Sequence, residues 1–269
     1  MKKKMFILLL LTVVCFGFQN IDGYRKVDTR SFAKGEKITY LAHYGFVNAG
    51  RATVQMDSKI YTRNGRPCYK VDVDGWTVGM FALGYKVKDK WRSYIDTSAV
   101  ISQQFYRDIS ENKYRLEETA YFDQHRHKVR VKTLKNGKNK DNTFDIPAYA
   151  QDLVSGYYYL RTIDFENLKV GDMIKIDGFF ENKVYDFNIK YKGTQVVKTK
   201  FGKINAYKLE PIMPDNKLFE GEDAILFYVS ADQNRIPLKI RAKMFVGAFE
   251  IDMVKYEGLK SDFNWAKKK

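Results

Sequence analysis

Segments in which every second residue is apolar recur along almost the whole chain, and that period leaves few folds open. Residues 36–46 open the series. Residues 52–61 and 68–73 flank Asn64-Gly65, a dipeptide that readily takes the positive φ angles of a two-residue hairpin turn. A second Asn-Gly, Asn136-Gly137, separates 129–134 from 143–146, and the lysine-rich stretch 132–140 reads as a basic hairpin tip. Tyr185, Phe187, Ile189 and Tyr191 alternate without a break. Residues 224–229 are continuously apolar, as expected of a strand covered on both faces. Pro237 marks the start of a strand, because proline cannot donate within a ladder. Residues 239–245 and 249–256 around Gly247 form a closing hairpin. An aromatic content of 15% fits strands better than helices.

Two stretches depart from this pattern. Residues 76–85 are apolar without alternation and flanked by glycines, and are read as a short helix. Leu153, Tyr157, Leu160 and Ile163 fall at helical spacing, which predicts an amphipathic helix over 152–163. The expected fold is mainly β: a curved antiparallel sheet or incomplete barrel in two lobes, with one or two short helices. The lobes are placed at about 30–150 and 165–258 of a single domain spanning 30–258, with a basic tail at 259–269.

Lys2, Lys3 and Lys4 precede an apolar run over 5–16, the order of a secretory signal peptide, assigned to residues 1–19. That run is shorter than the roughly 20 residues a spanning helix needs. Val14 before Cys15 is too large for a lipidation site, so lipoprotein processing is not expected. The sequence thus predicts an exported protein, periplasmic or associated with the periplasmic side of an outer membrane. Its formal charge is +15; without the three leader lysines it is 15 − 3 = +12. Such a balance favours anionic envelope surfaces, and nucleic acid is not expected as a partner. Of the two cysteines, only Cys68 lies beyond the leader, so no intrachain disulfide is expected.

Catalytic patterns are sparse. Asp123, His125 and His127 would share a face if they lay on a strand, a metal-ligand possibility outweighed by the charged residues between them. His43 reads as a core or boundary histidine. Cys68 at a strand start suits packing better than nucleophilic chemistry. Ser155 lacks the glycine two residues before it that a nucleophile elbow requires. Adjacent Glu117 and Glu118 point to opposite faces of a strand, and Asp72 with Asp74 shows no supporting shell. No phosphate-binding or dinucleotide loop is present. No catalytic residue, metal or cofactor is therefore assigned, and the chain is not read as an enzyme. The remaining signal is aromatic, with Trp76, Phe81, Tyr157, Tyr158, Arg161 and Phe179 as candidate ligand-binding residues lining an apolar groove.

Several further segments belong together: 35–40 with Tyr44-Gly45, Tyr94-Ile95-Asp96, Gln151-Asp152 through Ser155 to 158–161, 168–172, Arg235-Ile236-Pro237 and Val246-Gly247. Jointly they resemble the domain-of-unknown-function 3108 family of exported Gram-negative envelope proteins. The resemblance implies a mainly β, periplasm-facing protein and supplies no catalytic residues. The expected function is non-catalytic binding of a lipid, lipoprotein or glycolipid during envelope biogenesis. The alternative is an adaptor subunit docking on an outer-membrane protein, and a hydrolase ranks behind both. A spanning barrel is disfavoured because charges fall on both strand faces.

Overall fold

The computed structural model describes residues 23–212, 224–244 and 247–266. The expected signal peptide and the final lysines of the basic tail lie outside the described residues. Fourteen strands form one antiparallel sheet. The first meander comprises β1 (Lys37–Tyr44), β2 (Val47–Arg63), β3 (Arg66–Thr77), β4 (Lys88–Asp96), β5 (Ser102–Glu111), β6 (Tyr114–Asp123), β7 (Lys128–Lys135) and β8 (Lys138–Asp145). The second comprises β9 (Met173–Phe180), β10 (Lys183–Thr199), β11 (Gly202–Ile212), β12 (Ile225–Ser230), β13 (Pro237–Lys243) and β14 (Ala248–Glu257). Among the described residues, one strand-to-strand pairing distant in sequence, β1 with β14, joins them, so the sheet runs from β8 through β1 and β14 to β9.

Turn chemistry sets the register. At Asn64-Gly65 the φ angles are 50° and 72°, and at Asn136-Gly137 they are 48° and 78°, the left-handed pairs that a two-residue hairpin requires. The strands around the second turn run right up to it, so the stretch 132–140 is mostly ladder and only 136–137 is tip. In residues 76–85 the helical part is one turn, α1 (Phe81–Gly84). The longer helix is α2 (Leu153–Leu160), which connects the two edges of the sheet.

The sheet curls around α2. Phe144 of β8 and Phe179 of β9, from opposite edges, bring their rings to 5.5 Å. Inside, Ile38, Met56, Ile95, Phe122, Tyr158, Ile204 and Leu238 are fully buried. Each large apolar side chain so buried contributes roughly 1.5–3 kcal/mol.

The two rims of the curled sheet differ. At the rim bearing Asn64-Gly65, three segments cross the opening. Residues 24–36 are tied down by Val27 N–H donating to Ser98 O at 2.9 Å and by Tyr24 stacked on His125 at 4.5 Å. Residues 146–172 include α2. Residues 259–266 are held where Asn234 Nδ2 donates to Ser261 O at 2.8 Å. The opposite rim consists, among the described residues, of the strand turns at 45–46, 78–87, 112–113, 136–137 and 181–182 together with the ends of β11 to β14.

Candidate functional site

The site is built around α2. Its first turn is fixed by Asp152, whose carboxylate accepts from the backbone N–H of Val154 at 2.7 Å and of Ser155 at 2.8 Å. The Ser155 hydroxyl accepts from Asp152 N–H at 2.9 Å, completing a reciprocal cap. Ser93 of β4 donates to the second Asp152 oxygen at 2.6 Å and so anchors the helix start to the sheet. Burial nevertheless dominates these bonds and raises the Asp152 carboxyl above the usual aspartate range.

Arg161 ends the helix and ties its far end. Its guanidinium donates to both oxygens of Glu36, at 2.5 and 2.8 Å, and to the carbonyls of Asn234 at 3.0 Å and Ser31 at 2.7 Å. Both charged side chains are 0% exposed. Burial pulls the Arg161 pKa down, but the Glu36 carboxylate more than reverses it, so the net shift is upward and the guanidinium stays charged. Between the two anchors Tyr157 meets Tyr40 of β1, with the hydroxyl oxygens 2.9 Å apart. Tyr40 in turn donates to Pro237 O at 3.0 Å. Burial pushes the Tyr157 phenol up to about 12, so it remains a neutral donor.

Held this way, α2 leaves a cavity of about 570 Å³ between itself and the concave face of the second meander. This lies within the range of small-molecule sites. Leu153, Gly156, Tyr157 and Leu160 of the helix form one side. The sheet side comprises Tyr40, Ala52, Val54, Ile176, Phe180, Phe187, Ile189, Phe227, Ile240, Phe249 and Ile251, among others. The polar members are few, chiefly Gln151 and Asp152 where the helix begins. Gln151 Oε1 is buried without a hydrogen-bond partner among the described residues. Such a surface matches alkyl chains in chemistry and offers little to a charged or sugar-like body.

The six residues singled out from sequence fall in three places. Tyr157 and Phe179 line the cavity. Tyr158 and Arg161 do not. Tyr158 is fully buried, its ring 5.0 Å from Phe32 and its hydroxyl donating to Glu36 Oε1 at 3.5 Å, while Arg161 is consumed by its carboxylate and carbonyl partners. Trp76 and Phe81 stand on the opposite rim, 37% and 46% exposed, outside the cavity wall. Missed from sequence were Tyr40, Phe187, Phe227, Ile240, Phe249 and Ile251. The signal for several of them was strand parity, since every second residue of an inner-facing strand points at the helix.

The remaining chemistry-bearing residues are occupied structurally. β6 stops at Asp123, and His125 and His127 sit in a turn, His127 with φ 52°, so the three do not share a strand face. Asp123 accepts from Arg126 N–H at 3.0 Å and His125 stacks on Tyr24. Among the described residues, His43, Glu250 and Asp252 come close enough to hold a metal ion. Lys239 already places its ammonium 3.1 Å from each of those carboxylates, which favours an ion-pair network there. Cys68 is fully buried, its thiol pushed up to about 12 chiefly by burial, which suits packing and not nucleophilic attack. A second concavity, about 520 Å³ beside Tyr24, Asn64 and Gln124, is polar. Its cations are matched by neighbours: Arg66 with Asp96, Arg130 with Asp141 and Lys128 with Asp145. No helix of the described residues is long and apolar enough to cross a membrane.

The family described as "Protein of unknown function (DUF3108)" matches residues 39–254, and the chain belongs to it. Among solved structures, the chain is similar to a beta-barrel-like protein of the domain of unknown function DUF1849 from Brucella abortus. That match has 12% identity and a TM-score of 0.54, and covers 84% of this chain and 98% of that one. It shares the fold and is mainly β, like this chain. A putative lipoprotein from Parabacteroides distasonis aligns at 10% identity with a TM-score of 0.30, covering 87% of this chain and 99% of that one. A search of the curated proteins finds no match.

Proposed function

We propose that this member of the DUF3108 family is a non-catalytic cell-envelope protein that holds the acyl portion of a lipid, lipoprotein or glycolipid in the cavity beneath α2. The observation that carries the reading is a space of about 570 Å³ walled by aliphatic and aromatic side chains from nine structural elements. An alkyl chain in such a space exchanges its own hydrated surface, and that of the wall, for apolar contacts. Burying a dozen methylenes at about 0.8 kcal/mol each gives on the order of 10 kcal/mol before ordering costs, enough for stable retention. The basic leader-and-apolar sequence at the N-terminus supports export, and the surplus of lysine supports contact with anionic envelope lipids.

The test is native mass spectrometry of the chain purified from its own envelope, followed by organic extraction. One acyl-bearing lipid per chain is expected, together with uptake of a fluorescent acyl-chain probe by the delipidated protein. An apo mass combined with no probe uptake would overturn the reading and move the adaptor alternative to the front.

A further inference from the structure

Resting on the acyl-binding reading above, we infer that the rim opposite the strapped one is a docking surface for an anionic phospholipid bilayer, through which the cavity exchanges its lipid. Three independent observations meet at that rim.

First, it carries the two most exposed large apolar side chains of the described residues, Phe46 and Leu83. Phe46 in the β1–β2 turn is 99% exposed, Leu83 is 87% and Met80 is 72%, with Phe81 and Tyr85 beside them in the α1 loop. The two turns are adjacent, since Val78 N–H donates to Ala49 O at 3.0 Å. Exposed apolar residues gathered on neighbouring turns mark an interaction site more often than they mark packing.

Second, the charge matches one partner. Among the described residues of the turns and strand ends on this rim stand Lys86, Lys88, Lys113, Lys135, Lys138, Lys183 and Lys243, all exposed, against Asp89, Glu111 and Glu181. Glu111 is engaged by the Tyr85 hydroxyl at 2.9 Å and Glu181 by Arg107 at 3.4 Å, which leaves the lysine field little opposed. Apolar tips ringed by lysines suit insertion among anionic headgroups, with the rings and aliphatic chains reaching the acyl boundary.

Third, the cavity leads there. Its wall includes Phe180, Pro211, Ile225, Ala242 and Phe249, each within two residues of a strand end on this rim. At its other end the cavity meets α2 and the segments that cross the strapped rim. An acyl chain leaving a bilayer at the turn rim would therefore pass straight onto the cavity wall.

Sedimentation of the mature full-length chain with vesicles tests this, using phosphatidylcholine alone and phosphatidylcholine with 30% phosphatidylglycerol (roughly the charge density at which each nearby lysine adds about fivefold to binding). The chain is expected to bind the anionic vesicles at least tenfold better, and to lose most of that preference at high salt. The F46D/L83D variant should lose at least tenfold in binding, and the K86E/K113E/K243E variant should lose the anionic preference. V170D, which alters an exposed residue near the strapped rim, should bind as wild type does. Equal binding by wild type and both rim variants, or no preference for anionic vesicles, overturns the inference. Lipid content of the same purified variants separates the two readings. A rim variant that fails to bind vesicles yet retains cavity lipid supports both. A wild type that carries lipid yet ignores vesicles defeats the docking surface alone, and one that sediments without ever holding lipid defeats the cavity alone.

Discussion

Arg161→Met offers a sharp test of how α2 is held. The substitution keeps an unbranched apolar stem as far as the position of Nε but removes every donor to Glu36, Asn234 and Ser31. Glu36 is then a fully buried carboxylate with no cation beside it. Breaking a buried pair from one side costs about 3–5 kcal/mol, much of it the desolvation of the abandoned partner. For a chain of this size each kcal/mol moves the melting temperature by about 2–4 °C, so a loss of roughly 10 °C is expected. The assay is thermal unfolding followed by circular dichroism at neutral pH. The R161M/E36L variant removes both charges and should recover at least half of the loss, because a buried ion pair replaced by apolar groups is often neutral. Arg30→Ala, which breaks an exposed pair with Asp28, serves as control and should leave the melting temperature essentially unchanged. An R161M variant that melts within 3 °C of wild type would refute the anchoring role. So would a double variant no more stable than R161M alone, because the cost would then not lie in the orphaned carboxylate.

Two further outcomes follow from the buried groups. Asp152 has its folded-state pKa raised by burial, so its ionisation opposes folding, and that penalty disappears as pH falls through the raised value. Relative to Asp152→Asn, wild type should therefore gain stability between pH 7 and pH 4 in urea titrations, whereas a pH-independent difference would contradict the burial effect. Asp152→Ala also loses the cap that asparagine can still supply, so it should be about 1–2 kcal/mol less stable than Asp152→Asn at every pH. Cys68, fully buried and with its thiol at about 12, should resist a thiol-reactive disulfide reagent at pH 8 in the native protein and react at once in denaturant; prompt native labelling would mean that β3 opens locally.

Much of the fold is legible because its signals are local. Both Asn-Gly turns, the proline at the head of β13 and the period-two runs each report on a few neighbouring residues, and each appears as read. The helix was equally legible from Leu153, Tyr157 and Leu160, and Asp152 immediately before them is the cap. The cavity was not. Tyr40 and Phe249 are far apart in sequence and meet only because β1 pairs with β14, where Tyr44 lies opposite Phe249. No local pattern encodes that pairing. Arg161 was taken as a candidate ligand-binding residue for a related reason: its partner Glu36 lies 125 residues away, and a charge buried by so distant an acid looks in sequence like any surface charge. Trp76 and Phe81 were read as lining because apolar residues belong inside by default, and here they stand at a rim.

Gly156 allows the cavity to be closed without weakening the protein. It lies inside α2 with ordinary helical geometry, and a Cβ added there meets nothing nearer than Gln151 Cβ at 3.7 Å. Gly178, the other glycine of the wall, is unsuitable because its Cβ would fall 2.9 Å from the Phe187 ring. Gly156→Leu gains roughly 0.8–1 kcal/mol of helix propensity and fills part of the void with apolar atoms, so the melting temperature should hold or rise. The same side chain takes the space of about three ligand methylenes, worth about 2.4 kcal/mol, or about fiftyfold in affinity. Stability and ligand retention should thus move in opposite directions, a combination that general misfolding cannot produce. A G156L variant at least as stable as wild type that still took up an acyl probe with unchanged affinity would place the ligand elsewhere. Loss of uptake with stability intact would locate it between α2 and the second meander.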